Sequence, residues 1–378
     1  MRYKTVLYIL PLMVFLAALG SVGVREAEAP TPITIAVGVP LSGNWSGQGE
    51  EIVRAAEFAV QEINEDGGVL GSRLTVVIGD TEADPHRASA LARKWIEDPS
   101  VVAQIGGFTS ASALAAQRLY DATGMVQISP AVGHPAYAVG SPWSFSMMGL
   151  QEGEGKTNAR FAFSQLRARR AAILYRDGEW GRRQAAEFSA EFRALGGSVV
   201  TENYFFVGDS GYSRLVERIR QRKPDLLYLA TKEEEGSRIC RELTMLPEDA
   251  PILLGSSKLH SLHFLQFAGP DAEGVYLSSF FVPEIEESSA SSFYHRFRGF
   301  YGTDPGYLAA LTYDAVYLAI EAIRAAGSRE RAAVQKALLE IEGFSGVTGT
   351  IGFNRDGNAI RDYQHLRVEA GQFVSPGE

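Results

Sequence analysis

The segment Gly106-Gly107-Phe108-Thr109-Ser110 is the part of this sequence best equipped for chemistry. It follows an apolar run over 101–105 and leads into a helical pattern that starts near Ser112, so free backbone amides and two hydroxyls stand at a positive helix end. Such an arrangement receives a carboxylate or a similar anion. Ser129-Pro130-Ala131-Val132-Gly133 follows the next apolar run, 125–128, and its backbone reaches the same sheet edge. Taken singly, the first segment reads equally well as an ordinary helix cap; their shared edge favours binding. Catalytic groups are scarce. The histidines His86, His134, His260, His263, His295 and His365 are scattered, and the i, i+3 pair His260 and His263 has no third ligand nearby. No Gly-x-Ser-x-Gly elbow, His-Glu-x-x-His or phosphate loop ending in Gly-Lys-Ser/Thr occurs. Asp80, Glu82 and Asp84 do not make a calcium loop, because Pro85 takes the glycine position and Leu91 the glutamate position. Gly43, Gly47 and Gly49 before Asp80 only faintly suggest a dinucleotide turn, with the wrong spacing. No enzyme activity, metal or cofactor is therefore expected.

The elements that must position these segments come in two copies. Ala55-Ala56-Glu57-Phe58 with Gly67-Gly68 returns as Ala185-Ala186-Glu187-Phe188 with Gly196-Gly197. Each copy follows an apolar strand (33–39; 171–175) and a loop holding Trp and Gly (Trp45, Gly47; Trp180, Gly181), and precedes a strand closing on Gly-Asp (Gly79-Asp80; Gly208-Asp209). Short, nearly continuous apolar runs at 74–78, 101–105, 125–128 and 226–230 alternate with helical patterns, the signature of parallel strands buried on both faces. The spacing predicts helices over 183–195, 214–222, 234–245, 293–301, 307–326 and 331–339, and an antiparallel hairpin of 349–353 with 363–368 about the turn Asn354-Arg355-Asp356-Gly357. Two like halves mean two like α/β lobes with a crevice between them at the carboxyl ends of the strands.

At 378 residues the chain exceeds what one core usually supports. Its 36 basic and 45 acidic residues give a net charge of −9 with no basic stripe, which excludes nucleic acid as a partner. Arg2 and Lys4, the apolar stretch 6–19 and the exit Ala27-Glu28-Ala29 mark residues 1–29 as a secretory signal peptide, with an uncleaved anchor as the alternative. Cys240 is the only cysteine, so no intramolecular disulfide forms and the thiol is expected to be buried and inert.

From Ile33 to about Phe373 the sequence resembles the Leu/Ile/Val-binding protein family, solute receptors of bacterial ABC importers. The resemblance is carried by Pro40-Leu41-Ser42-Gly43, Ile63-Asn64 with Gly67-Gly68-Val69-Leu70-Gly71, Asp84-Pro85 with Ala88 and Ala92, Ile105-Gly106, Ser129-Pro130-Ala131, Tyr175-Arg176-Asp177 with Trp180-Gly181, and Tyr313-Asp314-Ala315. It implies the type I periplasmic binding fold: two similar doubly wound lobes joined by a three-strand hinge, residues 33–150 plus 281–349 forming lobe 1 and 151–280 plus 350–374 lobe 2. The crossovers are then expected near 149–151, 278–281 and 348–350. It further implies an exported, extracytoplasmic monomer that closes on a small carboxylate-bearing solute, a branched-chain amino acid or a related compound, and docks on a membrane permease. An extracytoplasmic sensor passing the signal to a receptor partner is the alternative.

The family's ligand positions fall on Ser110, Ala131 and Gly133 for the carboxylate, with Gly133 where a hydroxyl residue usually stands. Trp180 keeps an aromatic position and Lys232 replaces another. Phe108, Thr109 and Gln48 complete the candidate lining. The acidic residue that pairs with a ligand ammonium in amino-acid-binding relatives is replaced by Ser257, followed by Lys258. A buried ammonium without its partner costs several kcal/mol, against about −8 kcal/mol for micromolar binding. Unless Asp177, Glu179 or Glu233 substitutes, the expected ligand is a carboxylate that lacks an α-ammonium or places it differently, with Lys232 as a second anion contact.

Overall fold

The computed structural model describes residues 32–149, 153–209, 211–245 and 250–376; the expected signal peptide lies outside them. No helix among the described residues is long and apolar enough to cross a membrane.

The first repeat builds β1 (Ile33–Val39), α1 (Ser46–Glu65), β2 (Leu74–Asp80), α2 (Pro85–Glu97), β3 (Val101–Gly106), α3 (Ser110–Thr123), β4 (Val126–Ser129), α4 (Pro135–Ala138) and β5 (Ser144–Ser146). After a crossover and α5 (Glu154–Ser164), the second builds β6 (Arg170–Arg176), α6 (Glu179–Ala194), β7 (Ser198–Phe205), α7 (Tyr212–Arg220), β8 (Leu226–Ala230), α8 (Glu233–Thr244), β9 (Ile252–Gly255), α9 (Leu262–Ala268) and β10 (Tyr276–Ser279). The five strands of each repeat form a parallel sheet in the same order, β2-β1-β3-β4-β5 and β7-β6-β8-β9-β10. Successive residues of a strand feed opposite faces: Ile35 and Val37 join one core while Ala36 joins the other, and Ala171 and Ile173 alternate likewise with Ala172 and Leu174. This double burial is why the strands read as unbroken apolar runs.

The repeated Gly-Gly ends the same helix twice. Gly67 and Gly196 take φ of 95° and 94°, and the following glycine amides donate to Ile63 O (2.8 Å) and Phe192 O (2.9 Å). Asp84 caps α2 by accepting from the Arg87 amide at 2.8 Å, with Pro85 at the first helical position. Asp80 accepts from the amides of Leu41 and Glu82, each at 2.8 Å. Cys240 is buried, and burial pushes its thiol up to about 12.

Three helices follow: α10 (Ser289–Tyr301), α11 (Tyr307–Ala326) and α12 (Arg331–Glu340). They return to the first lobe, where Phe293, Phe297, most of α11 and Leu338 complete the core under β1, β3 and β4. The chain then forms β11 (Phe344–Gly346), β12 (Gly349–Phe353), β13 (Ala359–Arg361), β14 (Gln364–Glu369) and β15 (Gln372–Val374). Here the structure corrects the sequence. The turn at Asn354 is present, but β12 pairs with β13, while β14 joins β10 antiparallel in the second sheet. Ile351 and Ala359 pack in the first lobe's core, so residues 350–361 sit with lobe 1 and the third crossover falls at 362–363, not near Thr350. The reason is a second interaction surface: Gly357 O accepts from the Ser146 amide at 2.9 Å, and Phe353 packs edge-on against Phe145 at 5.0 Å, which covers the edge of β5. Strand β5 and helix α5 escape sequence reading because their buried residues are largely small or polar: Ser144 and Ser146 in the strand, and Gly155, Asn158, Ala159 and Ala162 in the helix.

One guanidinium links the three crossovers. Buried Arg361 donates to Met147 O on the first, lies 5.0 Å over the Phe280 ring on the second, and itself leads into the third. It also donates to Thr348 Oγ1 at 2.9 Å, and that hydroxyl donates to buried Asp314 Oδ2 at 2.6 Å. Asp314 further accepts from the amides of Val347 (2.8 Å) and Thr348 (2.9 Å). Burial pushes the Asp314 carboxyl up and lowers the affinity of Arg361 for its proton. Replacing Arg361 by methionine keeps the stem but strands these acceptors, and should lower the unfolding free energy by about 3 kcal/mol in urea titrations. An unchanged midpoint would show that the guanidinium does not hold the crossovers.

Candidate functional site

The carboxyl ends of the two parallel sheets face a cleft of about 460 Å³. Its first-lobe wall begins where β3 ends. Gly106 (φ 138°) and Gly107 (φ 77°) turn the chain against β1, where a Cβ on Gly106 would lie 2.3 Å from Gly38 O. Thr109 caps α3, its hydroxyl accepting from the Ser112 amide (3.3 Å) and donating to Ser112 Oγ (2.8 Å). Ser110, the first residue of α3, lines the cleft. Beyond β4, Ser129 Oγ donates to Gly107 O (2.8 Å) and accepts from the amides of Ala131 (3.2 Å) and Val132 (3.0 Å), locking the two loops together. Gly133 and His134 follow on the same wall, the latter capping α4 through Nδ1.

The second-lobe wall is strongly charged. It carries Arg176, Asp177, Glu179, Trp180, Arg183, Lys232 and Lys258. Arg176 lies 3.7 Å from Glu235, and Asp177 accepts twice from Arg182, at 2.9 and 3.1 Å. Glu179 lies 3.8 Å from Arg183. Trp180 both lines the cleft and packs on the second lobe's core. Lys232 stands at the N-cap position of α8 with no side-chain cap bond, and Lys258 follows β9.

Of the residues singled out from sequence, Ser110, Ala131, Gly133, Trp180 and Lys232 are brought to this one cleft. The other four lie elsewhere. Phe108 packs on Trp45 at 5.3 Å and on the first core, Thr109 spends its hydroxyl on the cap, and Gln48 sits in the first turn of α1. Ser257 lines a separate hollow of about 50 Å³, and its amide donates to Glu154 Oε1 at 2.5 Å. The Ala131 amide, expected to face a carboxylate, is already held by Ser129.

Sequence reading passed over Lys258 and Glu154 as site residues. Lys258 was visible as the residue after Ser257 at a strand end; Glu154 opens a helix with no apolar stripe to announce it. Glu154 is fully buried behind the wall, and Oε1 also accepts from Ser278 Oγ at 2.8 Å. Ser278 Oγ in turn accepts from Asn158 Nδ2 (3.1 Å), whose Oδ1 meets His365 Nε2 (2.9 Å). Burial pushes the Glu154 carboxyl up and the Lys258 ammonium down, and each counters that shift in the other. No group of three His, Cys, Asp or Glu side chains among the described residues could hold a metal ion.

A family model described as periplasmic binding protein matches residues 32–372. A Leu/Ile/Val-binding protein homolog 1 of Brucella suis biovar 1 is 26% identical over 342 residues, covering 90% of this chain and 91% of the relative. Among solved structures, a putative branched-chain amino acid ABC transporter from Rhodospirillum rubrum superimposes with a TM-score of 0.84 at 29% identity, over 91% of this chain and 100% of that one. An ABC transporter substrate-binding protein from Desulfitobacterium hafniense in complex with Leu gives 0.70 at 26% identity, over 90% and 99%.

The network behind the wall titrates. Stacked on Phe161 at 3.7 Å, His365 has its pKa lowered by burial from 6.5 to about 3. It stays neutral in the folded protein while the unfolded chain protonates near pH 6.5, so its contribution is complete above that pH and is lost as pH falls toward 3. By pH 5 the loss is on the order of 2 kcal/mol. In urea unfolding, the stability of the parent relative to His365→Gln should drop by that amount between pH 7 and 5; a difference independent of pH would contradict the burial argument.

Proposed function

The chain belongs to the periplasmic binding protein family, and on that premise we propose that it is the exported receptor of an ABC importer, closing its lobes by hinge motion over a small carboxylate-bearing solute. The family binds solutes and is not enzymatic. The observation that carries the reading is the cleft itself. The Ser110 end of α3 and the Gly133 turn on one lobe confront Trp180 and Lys232 on the other, both at the carboxyl ends of like parallel sheets. The α3 amide end, with the Ser110 hydroxyl, receives the ligand carboxylate. Trp180 covers the ligand from the second lobe, and Lys232 supplies a second anion contact. Hinge closure is supported by the architecture, because the lobes have separate cores and Arg361 ties the crossover segments between them. Export rests on the signal-peptide pattern of residues 1–29 and on the family's periplasmic setting. Delivery to a membrane permease is taken over from the ABC-transport relatives.

Thermal-shift screening of amino acids, aliphatic and aromatic carboxylates and amides should identify the ligand, since a solute at about a thousand times its Kd adds about 4 kcal/mol of stability. X-ray scattering should then show compaction on its addition. Ser110→Ala should raise the Kd about tenfold, the worth of one hydrogen bond to a charged group. Unaltered affinity would remove the proposed contact, and dimensions indifferent to every solute would remove the receptor.

A further inference from the structure

The cations and anions of the cleft wall do not cancel. Both acids that line it already have arginine partners: Asp177 is gripped by Arg182, and Glu179 lies 3.8 Å from Arg183. Arg176 is matched by Glu235. The ammonium groups of Lys232 and Lys258 remain, with no hydrogen bond or ion pair to another described residue. The charged groups that act on Lys258 are Glu154, Lys232 and Glu233. Glu154 does not line the cleft, its Oε1 being held by the Ser257 amide and the Ser278 hydroxyl, and Glu233 lines the small hollow that Lys258 also borders. Lys232 acts on Lys258 as a like charge. Two ammonium groups thus share one wall, and neither is hydrogen-bonded or ion-paired to a carboxylate that lines the cleft.

Resting on the receptor reading above, we infer that the solute carries two separated acid groups, one received at the Ser110 end of α3 and the other between Lys232 and Lys258. Closure removes water from the cleft, and an ammonium desolvated without a counter-charge costs several kcal/mol. A zwitterionic amino acid brings one carboxylate, which the α3 end takes, and adds a further cation to a wall whose acids are already matched. A dianion without an ammonium supplies the missing counter-charge from its far end, and the first acid group keeps its backbone donors. The cleft volume, about 460 Å³, accommodates a short-chain diacid.

The test is calorimetric titration of the parent with succinate, glutarate and adipate, each beside its monoamide, and with L-leucine. One diacid should bind at least about tenfold more tightly than its monoamide and than leucine, since the second charge-assisted contact is present in it alone. Lys258→Met and Lys232→Gln should each weaken that diacid about tenfold and erase its preference over the monoamide. Two variants guard against misfolding at the half-buried position, as Lys232 is exposed. The inference is overturned if leucine or a monoamide binds as tightly as every diacid, or if both variants keep the diacid affinity of the parent. Either result, when accompanied by compaction in scattering, leaves the receptor reading standing. Absence of compaction with any solute would remove both.

Discussion

The guanidinium of Arg361 is the point where the three crossover segments meet. A buried cation is costly unless its donors are used, and here they are used on two segments that are distant in sequence: Met147 O and Thr348 Oγ1 accept, and the Phe280 ring lies beneath. Asp314, from the middle of α11, completes the set through Thr348. The crossovers are therefore held by directional bonds as well as by apolar packing.

The cleft walls owe their chemistry to the repeat. Parallel strands in a doubly wound sheet deliver every strand-to-helix loop to one edge, so two like sheets facing each other present two sets of helix beginnings and backbone amides. The first lobe uses this plainly, with Gly106, Gly107 and Ser129 fixing the loops so that Ser110 meets the cleft. At the equivalent strand ends the second lobe has charged side chains: Arg176 at the end of β6 and Asp177 after it, Lys232 after β8, Lys258 after β9. One wall presents backbone groups, the other charged side chains.

Much of this was legible in the sequence because the strands are buried on both faces and the helices on one, which writes distinct periods into the residues. The repeat of Ala-Ala-Glu-Phe and Gly-Gly was visible for a physical reason, since each glycine pair ends a helix with a left-handed turn that few other residues take. What the sequence hid was held by polar groups. Strand β5 is buried yet serine-rich, α5 buries Glu154 and Asn158, and β13 was missed because its attachment depends on Gly357 and Phe353 meeting β5, a tertiary event without local signature. The same holds at the site. Ser110 and Gly133 followed from strand-end logic, whereas the engagement of Ala131 by Ser129, and the placing of Lys258 in the wall with Ser257 behind it, are facts of packing.

The solitary thiol at Cys240 has a practical corollary. It is shielded in the second lobe and held in its unreactive protonated form, and the chain has no other cysteine. A maleimide dye would thus find no competing nucleophile of its kind on the native surface. A dye on one cysteine introduced at the cleft rim, or on one in each lobe, would therefore give an optical readout of the proposed closure, with no need to strip the background first.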